Sequence, residues 1–345
     1  MKSLPERFRQ AFCSLADPGK KFLLAFSGGL DSTALVSLAA AWLSPENLLA
    51  AHLDHGLRPQ SGREAQIAAE SAQALGVRMI AGRMDILALA GERGRGLEEA
   101  ARWGRRQFLE QTLAAWGGDF IVTAHQQNDL AETVLLKLLR GGGPGSLTGI
   151  QPIAGKWLRP LLEFTRSELA AYVREKDLSF TEDPSNQDPA MKRNHLRHRL
   201  WPLLLEQNPA FPAALFRASR LALAEEEFWS ARTAGLDREL AQTQPGGRIG
   251  LKSQDLLSLS AAEQRRLLDR LLRRIDLPGR PAEKNIPLAA ADLILKLARL
   301  PRKNGRGWDL PGGFRAETSG PFLYLGPSSR LSTRTGTENK NEPGS

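Results

Sequence analysis

The stretch Phe22-Leu-Leu-Ala-Phe-Ser-Gly-Gly-Leu-Asp-Ser-Thr33 constrains this chain most. An apolar run opens into a Ser-Gly-Gly turn, and a helical pattern begins at Leu30. This order predicts a strand, a loop of phosphate size and a helix N-terminus in direct succession. Paired glycines let backbone approach an anion closely, and the first N–H groups of a helix have no acceptor of their own. Ser27, Ser32 and Thr33 add hydroxyls, and Asp31 is placed to hold a divalent cation on bound phosphates. The loop carries no lysine, which sets it apart from the G-x-x-x-x-G-K-[ST] phosphate loop.

The first half of the chain alternates short apolar runs with helical patterns, the signature of βαβ units and a parallel sheet. Strands are expected at 22–26, 48–54, 77–82 and 120–124, with a shorter one at 156–159. Helices are expected at 30–42, 63–75, 97–116 and 130–140. Three of the strands end in polar clusters: Ser27-Gly-Gly, Asp54-His-Gly and His125-Gln-Gln-Asn-Asp129. Ligands of open α/β sheets sit at the carboxyl ends of strands, so these clusters should meet in one crevice.

Further on, 165–176 reads as a helix capped by Thr165, and 191–206 as a basic helix with Pro202 inside it. Pro209 and Pro212 mark the expected boundary, giving a catalytic domain over 1–208. A mainly helical domain should follow over 209–327, with helices at 213–233 and 261–275 and a small hairpin around Thr318-Ser-Gly-Pro321. The polar tail 328–345 is expected to be disordered.

Several clusters can carry chemistry, and each has a plainer alternative. His52-Leu-Asp-His-Gly-Leu-Arg58 is either a polar loop or a contact with the nucleotide. Arg102 and Arg105 share a helical face, either solvated beside Glu98 or aimed at polyphosphate. His125, Asp129 and Glu132 are spaced for one helix start, either as cap residues or as an acidic site for a cationic substrate or Mg²⁺. Arg193 and Arg197 stand four apart in a basic run. The arginines of 267–274 and 301–306 are candidate phosphate contacts or solvated faces.

The 345 residues suffice for two domains, and a net charge of +9 favours a polyanionic partner. One cysteine, Cys13, excludes an internal disulfide and a Cys-x-x-Cys site, and suits a reducing cytoplasm. No apolar stretch approaches the ~20 residues needed to span a bilayer, nor does the N-terminus read as a secretory signal. A cytoplasmic protein without a membrane partner is expected.

The hexapeptide Ser27-Gly-Gly-Leu-Asp-Ser32 resembles the pyrophosphate loop (PP-loop) of ATP pyrophosphatases. Within that superfamily the chain resembles the tRNA(Ile)-lysidine synthetases over roughly residues 21–204. The resemblance rests on the loop, on His52–Arg58 and on Glu99-Ala-Ala-Arg-x-x-Arg105. It continues through Ala131-Glu-Thr-Val-Leu-Leu-Lys-Leu-Leu-Arg-Gly141, Arg159-Pro-Leu-Leu162, Glu182-Asp-Pro-Ser-Asn186 and Arg193-Asn-x-x-Arg197. The family run His-His-x-Asp-Asp-Gln-Ala-Glu-Thr departs here to His125-Gln-Gln-Asn-Asp-Leu-Ala-Glu-Thr133.

The resemblance implies an adenine nucleotide alpha hydrolase-like fold and ligation of free L-lysine to C2 of the wobble cytidine of tRNA(Ile) with a CAU anticodon. ATP would adenylate the base and leave as pyrophosphate and AMP. By the same resemblance Ser27, Gly28, Gly29, Leu30, Asp31, Ser32, Thr33 and Asp54 bind ATP, and Asp31 holds Mg²⁺. Arg105, Arg193 and Arg197 stabilise phosphates, His125 sits beside the activated base, and Asp129 and Glu132 take the lysine. A homodimer is left open. A tRNA thiolation enzyme would need more than one cysteine, and a small-molecule amidating or NAD-forming ligase would not need a basic second domain. An RNA-binding module with a decayed nucleotide site is opposed by the intact loop.

Overall fold

The computed structural model describes residues 2–56, 61–94, 96–181, 192–277, 288–300 and 306–328. The chain forms two compact units, Met1–Leu223 and Ala224–Ser345.

The first unit runs α1 (Leu4–Cys13), β1 (Phe22–Ala25), α2 (Leu30–Ala40), β2 (Leu48–Asp54), α3 (Ser61–Ala74) and β3 (Met79–Arg83). It continues with α4 (Ile86–Arg93), α5 (Leu97–Trp116), β4 (Phe120–Val122), α6 (Gln127–Leu139), β5 (Ile153–Ala154), β6 (Trp157–Leu158) and α7 (Arg166–Glu175). The strands form one sheet in the order β3-β2-β1-β4-β6-β5. All neighbours are parallel except the edge pair β5–β6. The expected open parallel sheet with helices on both faces is therefore present.

Strand periodicity explains the two cores. Phe22 and Leu24 of β1, with Leu48 and Ala50 of β2, face a large cluster that includes Phe8 and Phe12 of α1 and Leu35 of α2. Leu23, Leu49 and Ala51 face the other way, onto Leu109 and Leu113 of α5. A strand buried on both faces reads as a continuous apolar run, which is why β1 and β2 stand out in the sequence. Helix α2 is buried from Ser32 through Ala39, and its Ser37 hydroxyl lies 3.0 Å from the Tyr172 hydroxyl of α7. The chain leaves β1 for α2 between β2 and β4, so a crevice opens at the carboxyl end of β1 where the strand order reverses.

Beyond α7 come α8 (Lys192–His195), a π turn over Leu196–Leu200, α9 (Trp201–Gln207) and α10 (Phe211–Leu240). Pro202 lacks the N–H that an α-helix would donate to residue 198, and the wider turn just before it absorbs the loss. The division between units falls inside α10, past Pro209 and Pro212. Pro212 sits in the first turn of α10, where a missing N–H costs nothing, so it opens a helix and marks no linker.

The second unit adds β7 (Gln242–Thr243), β8 (Ile249–Lys252), α11 (Ser253–Ser258), α12 (Ala261–Arg274), α13 (Leu288–Ala298), β9 (Arg306–Leu310), β10 (Phe314–Ser319) and β11 (Phe322–Pro327). The hairpin expected near 318–321 joins β10 to β11, with Ser319 opposite Phe322. It is the middle of a five-stranded antiparallel sheet, β7-β8-β11-β10-β9, larger than the small hairpin expected. Short strands such as Ile249-Gly-Leu-Lys252 offer too little alternation to be seen alone. Leu267, Leu268, Leu271 and Leu272 of α12 pack with Phe314, Leu323 and Leu325 of the sheet. The expected tail lies outside the described residues from 329 onward.

Candidate functional site

The loop after β1 is braced by its own side chains. The Ser27 amide donates to Ser32 Oγ at 3.3 Å, the two hydroxyls are 3.0 Å apart, and the Ser32 hydroxyl donates to the Gly29 carbonyl at 2.9 Å. Gly28 has φ +80°, a left-handed conformation that a side chain would strain. Thr181 closes the loop from behind: its N–H donates to the Gly28 carbonyl at 2.8 Å, and its hydroxyl does so at 3.2 Å. Gly29 caps α2 without a side-chain hydrogen bond. The leading N–H groups of the helix are thus left for a ligand.

Asp31, in the first turn of α2, collects the electrostatics of the site. Burial pushes its carboxyl up to about 6, Arg166 and Arg197 pull it down, and the nearby Asp129 and Glu132 push it further up. Arg166 Nη1 stands 3.4 Å from Asp31 Oδ2. The other oxygen, Oδ1, is buried and accepts no hydrogen bond among the described residues, and the same holds for the Thr33 hydroxyl. Orphaned buried oxygens at a helix start, faced by further carboxylates, suit a cation.

Helix α6 presents the acidic partners. The expected start at Leu130 moves back to Gln127, because Gln126 and Asp129 form a capping box. The Gln126 side chain accepts from the Asn128 N–H at 2.6 Å, and Asp129 Oδ2 accepts from the Gln126 N–H at 3.1 Å. Glu132 is 1% exposed and receives Arg197 through Nε at 2.8 Å and Nη2 at 3.1 Å. Arg197 Nη2 also lies 3.8 Å from Asp129 Oδ1. The bidentate fork offsets the cost of a buried carboxylate. His125 precedes the helix, with Nδ1 2.8 Å from the Thr123 hydroxyl.

The residues that depart from the family run have structural duties. Gln126 caps α6, and the Asn128 Oδ1 accepts the Arg166 N–H at 3.5 Å. Leu130 packs with Val134 and Leu162.

Other expected residues belong chiefly to β2 and α5. Asp54 ends β2, where Oδ1 accepts the Gly56 N–H at 2.8 Å and Oδ2 stands 3.7 Å from Arg83 Nε. Buried His52 donates Nδ1–H to the Phe26 carbonyl at 3.0 Å, tying β2 to the base of the loop. Arg105 is exposed on α5. The Arg193 side chain, residues 57–60 and the Glu182–Asn186 motif lie outside the described residues.

The α12 arginines are committed within the second unit. Arg265 pairs with Asp292 (3.2 Å), Arg266 with Glu226 (2.5 Å), Arg273 with Asp269 (2.8 Å), and both Arg270 and Arg274 with Asp237. Arg306 is in β9, while 301–305 lie outside the described residues.

Two site residues escape a reading of the sequence. Arg166 is the first residue of α7, and Thr165 with Glu168 forms its capping box. A cation at a helix N-terminus opposes the macrodipole, and that anomaly is the available signal. Thr181 carries no comparable local signal.

The fold and loop define a PP-loop nucleotide-binding domain, and the family profile described as a PP-loop domain matches residues 2–204. A tRNA(Ile)-lysidine synthase of Thermus thermophilus is 40% identical over 323 residues, 93% of this chain and 59% of that protein. One from Nitratidesulfovibrio vulgaris is 35% identical over 289 residues, 78% of this chain and 83% of that protein. The chain belongs to the tRNA(Ile)-lysidine synthase family of PP-loop proteins. It spans only about three fifths of the length of the Thermus relative and of the Alkalilimnicola ehrlichii relative. Among solved structures, the U34-tRNA thiolase NcsA of Methanococcus maripaludis shares the fold, with a TM-score of 0.53 at 18% identity over 63% of this chain and 78% of that one.

Proposed function

We propose that this chain joins lysine to C2 of the wobble cytidine of a CAU-anticodon isoleucine tRNA, using ATP. One observation carries the reading: at the mouth of the Ser27–Ser32 loop, three carboxylates (Asp31, Asp129, Glu132) are interleaved with two arginines (Arg166, Arg197). Such a site can hold a polyphosphate and an amino-acid ammonium side by side.

In the first step the C2 carbonyl oxygen of the base attacks the α-phosphorus of ATP and pyrophosphate leaves. The loop amides and the α2 N-terminus meet the charge that develops on the leaving group. Arg166 and Arg197 sit close enough to Asp31 to act on the same phosphates, joined by Arg105 and Arg193. Asp54 holds the nucleotide from the second strand. In the second step the lysine ε-amine attacks C2 and AMP departs with the original oxygen. The ammonium must lose a proton before it attacks, and Asp129 is the carboxylate assigned to bind it. Glu132 keeps Arg197 oriented beside it and adds negative charge, and His125 lines the position of the base.

Asp31, whose Oδ1 has no hydrogen-bond partner among the described residues, fits Mg²⁺ bound through one carboxylate and phosphate oxygens. When bound, the ion would neutralise charge on the leaving pyrophosphate.

The test is incubation of the protein with ATP, Mg²⁺, labelled lysine and the CAU-anticodon isoleucine tRNA. Label is expected in the RNA, with AMP and pyrophosphate formed in equal amounts. ATP turnover with a different RNA and no lysine incorporation would refute the assignment.

A further inference from the structure

A second group of cations lies away from the loop. Lys137 Nζ donates to the Gly149 carbonyl at 2.8 Å, and Arg159 Nη1 donates to the Gln151 carbonyl at 2.7 Å. The Arg159 N–H donates to the Pro152 carbonyl at 2.9 Å, so both side chains are held against the segment 149–152. Trp157, two residues before Arg159, packs on α5. Arg106 of α5 lies over that Trp157 ring at 5.9 Å, and Arg102 stands one helical turn before Arg106.

The charges do not balance. Arg106 has Glu110 at 3.0 Å. Among the described residues, Arg102, Lys137 and Arg159 are in no ion pair with a carboxylate, and Arg159 Nε is buried without a hydrogen-bond acceptor. Burial lowers both Lys137 and Arg159 below their ordinary values, and repulsion from Arg102 adds to the loss. A fold that keeps like charges together with an orphaned donor implies an anion as the missing partner.

We propose that Arg102, Lys137 and Arg159 form a phosphate site that grips the backbone of the RNA substrate beside the crevice. The inference rests on the function proposed above. Guanidinium groups match phosphodiester oxygens, and the ammonium adds a point charge. Lys137 follows Asp129 by eight residues on α6, ~12 Å along the helix axis. That distance corresponds to a few nucleotides of a strand whose base enters at Asp129.

The test measures binding of an RNA hairpin with a CAU anticodon to the full chain across a range of KCl concentrations. The plot of log K against log [KCl] should be shallower by about 0.7 for Lys137→Gln and for Arg102→Gln, the loss of one single-strand phosphate contact each. Arg102 is exposed, so its replacement leaves the core intact, and relief of repulsion should hold or raise the unfolding midpoint. Unchanged slopes in both variants would overturn the site. Unchanged slopes with a raised lysine requirement would assign the cluster to the amino-acid carboxylate instead, which also overturns it. Wild-type protein that binds the hairpin with a slope sensitive to both variants, yet incorporates no lysine, removes the proposed reaction and leaves the phosphate site standing. Wild-type protein that binds no RNA removes both.

Discussion

Replacing Asp31 by Asn should stabilise the protein while abolishing its chemistry, and the gain should depend on pH. The carboxyl is raised from 3.8 to about 6, chiefly by burial. Below the lower value it is protonated in folded and unfolded chains alike and contributes no difference. Between the two values the folded chain keeps a proton that the unfolded chain has lost, so stability falls as pH rises. Above about 6 the penalty is complete, at most ~3 kcal/mol. The attraction of Arg166, 3.4 Å away, is already contained in that figure, and solvent reaching the partly exposed site reduces the full amount. A net gain of ~2 kcal/mol is expected at pH 8, or ~4–8 °C in the unfolding midpoint of a unit this size. The difference should shrink by more than half at pH 4.5. The assay is thermal unfolding without nucleotide or metal at both pH values, followed by the same measurement with ATP and Mg²⁺. Added ligand should raise the wild-type midpoint but not that of the variant, and the variant should release no pyrophosphate. A variant less stable than wild type at pH 8, or a difference independent of pH, would refute the electrostatic reasoning.

Arg197→Ala removes two charge-assisted hydrogen bonds from the buried Glu132 carboxylate and should cost ~3–5 kcal/mol in urea denaturation. The double variant Arg197→Leu/Glu132→Leu should recover most of that loss; a single-variant cost under ~1 kcal/mol would mean the pair is not buried as described. Gly28→Ala forces a side chain onto φ +80° and brings its Cβ to 3.1 Å from the Thr181 hydroxyl. A stability cost of ~1–2 kcal/mol and at least tenfold weaker ATP binding by calorimetry are expected. Wild-type affinity in that variant would show that the loop does not need this backbone shape.

Much of the nucleotide-binding architecture is legible in short segments. The run from Phe22 to Phe26 announces a strand buried on both faces, Ser27–Ser32 announces the turn and helix start, and Thr165 with Glu168 announces a cap. Helix α4 gives no such signal, because its eight residues, Ile86-Leu-Ala-Leu-Ala-Gly-Glu-Arg93, are too few for clear periodicity. The start of α6 reads late in the sequence because Gln126 is an unusual cap, chosen by a side chain three residues on.

The sequence by itself determined the sheet type, the loop and the acidic helix start, since each depends on backbone preferences and apolar spacing within a few residues. Tertiary structure alone decided which charges meet. Arg166 reaches Asp31 from 135 residues away, Thr181 closes on Gly28 from 153, and Arg197 finds Glu132 from 65. The raised carboxyl of Asp31 belongs to the same category. Desolvation and Coulomb interactions depend on distance in space, which local pattern does not encode.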